Sequence, residues 1–439
     1  MRSVWKETAN IRSFPKLERD LNTDVLIIGG GMAGVLTAFL LEQAGVECIL
    51  CEAETLGSGT TANTTAKITS QHGLIYDKLI REFGERKAKL YYRANEEAIS
   101  AFRMLCKTID CDFEQKDNYI YTLDDDLKID REMCALEKLG IPAVCTTAEN
   151  LPFEVAGAIK FSNQAQFHPL RFLFGLQKGL RIFEHTRVRE LKKAEDGILA
   201  VTSGGTVRAK RVVVATHFPF LNKHGAYFLK QYQHRSYVIA LENAPDPGGM
   251  YLDDDESGFS FRTYRDLLFI GGGSHRTGKP GGGYRVLTDF AARYFPKSTA
   301  AYAWAAQDCM TLDSVPYIGR YASGTGGLFV ATGFNKWGMT GSMVAARLLR
   351  DILTGADSPY TELFSPARSI LRPALFSNAV QSVVALLTPT APRCPHLGCA
   401  LHWNAEERSW DCPCHGSRFA KDGTLLDNPA TGDLKSVQK

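Results

Sequence analysis

DVLIIGGGMAGVLTAFLLEQAGVECILCEAE, Asp24 to Glu54, reads as strand, tight turn, helix and second strand. Val25 to Ile28 form a continuous apolar run, the pattern of a strand buried on both faces. The predicted helix carries Val35, Ala38, Phe39 and Leu41 at helical spacing and stops at Gly45. The next strand, 47–51, ends at Glu52. Between the first strand and the helix, Gly29-Gly30-Gly31-Met32-Ala33-Gly34 satisfies G-x-G-x-x-G, and Glu52 follows Gly29 by 23 residues. A glycine-rich turn alone is common; in this full context each part has a physical task. Gly29, Gly31, Ala33 and Gly34 let the backbone approach a pyrophosphate, the helix N-terminus faces its negative charge, and Glu52 accepts ribose hydroxyls. A dinucleotide site follows, although the motif does not distinguish NAD from FAD.

The rest of the composition bounds the setting. The 439 residues are 44% hydrophobic and 23% charged, enough for two or three domains with ample cores. A formal net charge of +3 with interspersed signs gives no support for nucleic-acid binding. No apolar run reaches bilayer length, and the polar N-terminus lacks the core of a secretory signal, so no membrane span and a cytoplasmic enzyme are expected. Seven of the 11 cysteines are scattered over the first 393 residues, as suits a reducing compartment, while four fall between 394 and 414. That cluster points to a metal.

Helical patterns are expected from near Thr61 and over 76–107, the latter with Leu79, Ile80, Phe83, Leu90, Ala94, Ala98 and Phe102 on one face. Short strands are expected at 119–123, 187–191, 198–203 and 211–215, and a strand-rich antiparallel stretch over 232–273. Residues 328–332 read as a buried strand, and 338–353 as a helix packed on it.

LGSGTTANTTAKIT (56–69), RVVVATHFPF (211–220), TLDSVPYIG (311–319) and GLFVATGFNKWGMTGSMVAARLL (327–349) together resemble FAD-dependent oxidoreductases of the D-amino-acid-oxidase/glycine-oxidase type, over about residues 22–355. The resemblance implies that Gly59, Thr60 and Thr61 wrap the flavin diphosphate and ribityl chain. It implies that Val188 offers its backbone to the adenine. The loop from Lys336 through Gly338, Met339 and Thr340 would open a helix whose positive end faces the flavin pyrimidine, where reduced flavin carries negative charge. The substrate would lie on the flavin face covered by residues 220–300. Relatives that oxidise amino acids often hold the carboxylate with an Arg just before the segment matching 311–319; here AWAAQDCM (303–310) has Gln307 and Asp308 but no Arg. Arg235, Tyr237, Arg262, Tyr264, His275 and Arg276, with His72 and His217, are candidates that suit packing as readily as catalysis. Hydride transfer to flavin needs no obligatory protein base, so no catalytic residue is assigned.

Near the C-terminus, CPHLGC is followed after 12 residues by CPCHGS. Cys394-x-His396 and Cys412-x-x-His415 supply two thiolates and two imidazoles. Such a tetrad suits tetrahedral zinc; Gly398 and Gly416, where a loop folds closely over bridging sulfides, favour iron. The double loop resembles the Rieske ferredoxin motif, in which two Cys hold one iron of a 2Fe-2S cluster and two His the other. By position the ligands are Cys394, His396, Cys412 and His415. Cys399 and Cys414 match a pair that is disulfide-bonded in the high-potential subclass. His396 and His415, nearest solvent in relatives, would be where electrons leave. Rieske domains usually carry strands before the first loop; residues 367–391 read instead as helix or irregular chain. The 46 residues from Cys394 onward cannot build a sufficient core, so the module must be stapled by its cluster, docked on the body, or both.

The expected architecture is α/β: a Rossmann-like FAD-binding domain (23–75, 160–218 and 301–355) with an antiparallel β-rich substrate domain (76–159 and 219–300). An N-terminal tail (1–22), a connection (356–390) and a small Rieske-type iron-sulfur module (391–439) complete it. The function expected is an FAD-dependent dehydrogenase that oxidises a small amine-like molecule by hydride transfer and relays electrons singly through the cluster to an acceptor, with a one-electron acceptor or donor protein as the expected partner. The alternatives are an oxidase using O₂ with a structural or regulatory cluster, and a redox carrier or reductase without a small organic substrate.

Overall fold

The computed structural model describes residues 2–221, 224–389 and 392–434. Its first sheet runs in the order Tyr317–Arg320, Leu328–Thr332, Thr206–Val214, Leu21–Ile28, Cys48–Cys51, Arg181–Phe183. The strands of this path are parallel except Tyr317–Arg320, and the hairpin of Val188–Ala194 with Gly197–Thr202 extends from Thr206–Val214. Val25, Leu26 and Ile27 are fully buried, as the apolar run requires. Helices Met32–Gln43 and Gly338–Thr354 pack against each other beside this sheet. Val35, Leu36 and Leu41 are each buried completely, contributing about 1.5–3 kcal/mol apiece. An added Cβ on Gly34 would sit 1.9 Å from the Gly29 carbonyl oxygen, so only glycine lets this helix approach the turn.

A second, nine-stranded sheet is ordered Thr299–Thr311, Gln231–Glu242, Leu267–Arg276, Ser260–Tyr264, Met250–Asp253, Glu114–Thr122, Gly157–Gln166, Lys67–Ile68, with Val144–Thr146 beside Gly157–Gln166. Three strands lie outside the division expected above, the shortest being Lys67–Ile68, which pairs with Gly157–Gln166. Thr299–Thr311 pairs along its whole length with Gln231–Glu242, and Gly157–Gln166 pairs with Glu114–Thr122, so residues 301–311 and 160–166 belong to the second sheet. Strand partners sit far away in sequence, and periodicity along one segment carries no information about them.

The helix expected near Thr61 is only a 3₁₀ turn, Thr60–Asn63. Thr61 Oγ1 accepts from the Met32 amide at 3.0 Å and Thr64 Oγ1 from the Ala66 amide at 2.9 Å, bonds that compete with helix continuation. The long pattern from Tyr76 breaks into Tyr76–Phe83 and Glu85–Leu105 at Gly84, whose φ of +79° ends the first helix.

Helix Pro373–Leu387 leads into a four-stranded antiparallel sheet, His402–Asn404, Ser409–Asp411, Arg418–Ala420, Leu425–Asp427. Its core is little more than Cys394, Cys399, Leu401, Cys412, Cys414, Phe419, Ala430 and Ala385 from the helix. No helix among the described residues is long and apolar enough to cross a membrane.

Candidate functional site

A cavity of about 490 Å³ opens where the first strand meets the glycine turn. Gly29, Gly31, Ala33, Glu52, Gly59, Thr60, Thr61, Val188, Gly338 and Met339 all line it. Gly34 does not; its contribution is the close helix approach described above. Glu52 Oε2 accepts from the Gly30 amide at 2.6 Å and Oε1 from the Glu54 amide at 2.8 Å. Burial raises its pKa, these two bonds oppose the rise, and each oxygen keeps a lone pair for a further donor. Gly59 and Gly338 have no atom within 4 Å of where a Cβ would stand. The first intrahelical bond of Gly338–Thr354 runs from the Gly341 amide to Trp337 O, so the amides of Gly338, Met339 and Thr340 precede the ladder. Open glycine walls, a helix N-terminus and an acidic acceptor together fit a flavin dinucleotide.

Thr340 differs from expectation in its side chain. Its Oγ1 bonds Thr69 O and the His72 ring at 3.1 Å each, away from the cavity, leaving only its backbone for a cofactor. Asn335 and Lys336, at φ +52° and +70°, hold two successive non-glycine residues in left-handed conformation just before this helix. Asn335 anchors the strained loop by accepting from the Thr311 amide and donating to Gly333 O, both at 2.7 Å. Lys336 lines the cavity, its Nζ 3.5 Å from Ser274 Oγ, and burial lowers its pKa while Asp308 opposes the fall. Asp308 also lines the cavity; burial raises its pKa, against Lys336, His217 and Arg235. The Asp308 carboxylate has no hydrogen bond among the described residues.

The other candidates separate. Arg235 and His217 line the cavity. Arg262 is buried in the core, donating to Ala66 O at 3.1 Å and to Thr65 O, and lies over the Trp5 and Phe269 rings. Tyr264 donates to Asp112 at 2.6 Å. His72 is buried against Trp337, with ring centroids 4.7 Å apart. Tyr237 packs against His275 and Tyr284. These are structural roles. His275 and Arg276 border a second cavity of about 470 Å³.

The two cysteine loops fold alike. The Gly398 amide bonds Cys394 O and the Gly416 amide bonds Cys412 O, both at 2.9 Å. Cys399, Cys412, Cys414 and His415 place ligand atoms within 4.8 Å of one another. Cys394 reaches the same point: the Cys412 thiol is held well below its usual range by hydrogen bonds from Cys394, then Cys399 and Cys414. The His396 and His415 ring centroids are 4.9 Å apart. His415 is 2% exposed, and neither ring nitrogen has an oxygen or nitrogen partner among the described residues. An orphaned buried imidazole beside converging thiols fits a metal cluster. The sulfurs of Cys399 and Cys414, the expected disulfide pair, lie within 4.8 Å of each other in this cluster.

The outward-facing histidines expected above are corrected for His415. Its ring packs against Phe218 and Phe228 of the flavoprotein body, at 6.2 and 6.1 Å, while His396 is half-buried. The module is docked, cluster side inward. Arg235 makes a two-armed ion pair with Glu407, Arg276 Nε donates to Pro413 O at 3.1 Å, and Gln307 Nε2 donates to Gly416 O at 2.9 Å. Arg418, Leu426, Asp427, Asn428, Ala430 and Thr431 line the dinucleotide cavity itself. No ligand spacing marks these last residues in the sequence; only their place beside the cavity reveals them.

Known proteins agree with this division. Residues 24–352 match the FAD dependent oxidoreductase (DAO) family model, and residues 378–438 the Rieske [2Fe-2S] domain. The chain is 35% identical to the Rieske 2Fe-2S iron-sulfur protein YhfW of Bacillus subtilis, over 99% of this chain and 97% of that one. It is 22% identical to gamma-glutamylputrescine oxidoreductase of Escherichia coli, over 80% of this chain and 89% of that one. Glycine oxidase from Geobacillus kaustophilus superposes with a TM-score of 0.68 at 20% identity, covering 80% of this chain and 100% of that one. The glycine turn, the cavity and the inward-facing cysteine loops thus belong to a member of the DAO family of FAD-dependent oxidoreductases that carries a C-terminal Rieske 2Fe-2S domain.

Proposed function

We propose that the chain is a dehydrogenase for a small amine, and that its electrons pass singly through the Rieske cluster to a one-electron acceptor. When bound, the flavin takes two electrons as hydride and the cluster moves one at a time. The observation that carries this reading is the shared cavity: six residues of the Rieske domain stand on the wall that also bears Gly29 and Gly338. Phe218, one residue after the cavity-lining His217, and Phe228 pack on the His415 ring. His415 is therefore the inner end of the relay. The half-exposed His396 and exposed Leu397 mark its outer end, where an acceptor protein meets the cluster.

Asp308 supports an amine. A carboxylate with no hydrogen bond, facing a cavity, holds an ammonium or donates direction to an N–H, and Lys336 beside it accepts an anionic substituent. Oxidation of CH–NH to C=N then sends one hydride to the flavin and one proton to water. The relationship to gamma-glutamylputrescine oxidoreductase is consistent with that class. The test is anaerobic mixing of the holoenzyme with a panel of primary and secondary amines. Flavin bleaching followed by the spectrum of reduced cluster is expected. Bleaching without cluster reduction would favour an oxidase, and no bleaching by any organic compound a pure electron carrier.

A further inference from the structure

The Rieske domain touches the flavin cavity through one continuous set of bonds. The Cys412 amide donates to Ser417 O at 2.9 Å, and Ser417 Oγ accepts from the Ala430 amide at 3.0 Å. Two residues back, Asn428 Nδ2 donates to Thr216 O at 2.6 Å and Phe218 O at 2.8 Å. Thr216 follows Ala215, whose carbonyl oxygen lies 2.5 Å from where a Gly29 Cβ would stand, so this is the wall of the pyrophosphate turn. On the other flank, Arg418 Nη1 pairs with Asp427 at 3.0 Å and Nη2 with Glu407 at 2.8 Å. The second cluster loop and the dinucleotide wall are thus two hydrogen bonds apart.

We propose that Arg418 and residues 426–431 are part of the flavin-dinucleotide site, so that the cluster and the flavin strengthen each other's binding. The physical reason is ordering. The domain's own core is too small to hold its loops rigidly, and the cluster is what fixes the loop carrying Cys412 to Ser417. A fixed Ser417 holds Ala430 and Asn428 against Thr216. Without it, the middle of the dinucleotide loses one wall and opens to water. Coupling of this kind is reciprocal, and commonly about 5- to 150-fold. The inference stands whether or not electrons pass between the two centres.

The test is made on the full chain with binding, not activity, as the readout. FAD affinity is measured by fluorescence of free flavin for the cluster-loaded protein, for protein depleted of iron by chelator and reductant, and for Asn428→Ala and Ser417→Ala. We expect roughly 10-fold weaker FAD binding after depletion and in both variants. Iron retained at equilibrium against the chelator should fall by the same factor when FAD is stripped. Equal FAD affinity with and without the cluster would overturn the coupling. An Asn428→Ala protein that holds FAD as tightly as the parent would overturn the contact.

Discussion

Replacing Glu407 by glutamine removes the charge that joins the Rieske domain to the nine-stranded sheet. Glu407 lies between Arg235 of the sheet and Arg418 of its own domain, with side-chain exposures of 14%, 7% and 6% respectively. Arg418 keeps Asp411 and Asp427, each at 3.0 Å. Arg235 has no other ion-pair partner among the described residues, so the substitution strands one buried guanidinium. Stranding a buried charge typically costs about 3–5 kcal/mol. Arg235 also borders the flavin cavity, where water can solvate it, so the lower end, about 3 kcal/mol, is expected. At 1.4 kcal/mol per decade, that weakens docking by about two orders of magnitude. Hydrogen exchange at Gln233 and Thr277 should rise, small-angle scattering should report a larger radius, and cluster reduction after flavin bleaching should slow. The pH dependence gives a second reading. Burial pushes the Glu407 carboxyl up, but Arg235 and Arg418 outweigh it and hold it below its ordinary 4.5. A depressed native value means the contact is complete above the unfolded value and lost as pH falls through the native one. Docking of the parent should therefore loosen only below about pH 4.5, and Glu407→Gln should show no such acid limb. Parent-like exchange, scattering and reduction rate in Glu407→Gln would refute the reasoning.

Three further outcomes are expected. Gly278→Ala places a Cβ 2.6 Å from the Pro413 backbone nitrogen at a φ of +74°, costing about 2–4 kcal/mol in overlap and left-handed strain. Iron content should survive, and cluster reduction should slow; an unchanged rate would show that docking does not limit transfer. Asp308→Asn should lower kcat/KM for amines roughly 10- to 150-fold, the value of a charge-assisted bond. Because burial raises the Asp308 pKa, the parent's kcat/KM should rise with pH through a value above the usual 3.8, and that limb should vanish in the variant. Cys399 and Cys414 should each lose a proton and an electron to a low-molecular-weight disulfide to form one bridge, whose 15-residue loop stabilises the domain by about 3 kcal/mol. Alkylation without reductant followed by mass spectrometry checks this, and full labelling of both thiols would exclude it.

Much of the cofactor chemistry was legible in the chain because its signals are local. The glycine turn, the apolar strand and Glu52 lie within about thirty residues, and the cysteine loops within about twenty, so spacing alone brings the groups together. Long-range pairing was not legible. Nothing in Thr299–Thr311 announces that it continues the Gln231–Glu242 sheet, and Arg262 suits packing and catalysis equally in sequence until the Trp5 ring and two carbonyls are seen around it. The docking face was hidden for the same reason: Arg235 and Glu407 are 172 residues apart.

The size of the Rieske domain ties these strands together. A core of eight buried residues cannot hold an independent fold, and the chain answers by packing the domain against a body that already exists. Two glycines record how close that packing is: a Cβ on Gly416 would fall 2.2 Å from Gln233 Cγ, and one on Gly278 would meet the Pro413 backbone. The same contacts that supply the missing core turn His415 toward Phe218 and bring Asn428 to the dinucleotide wall. Stability and proximity therefore share one surface. A larger, self-sufficient Rieske domain would need no such support, whereas here the surface that completes a core of eight residues is also the one that turns His415 toward the flavoprotein body.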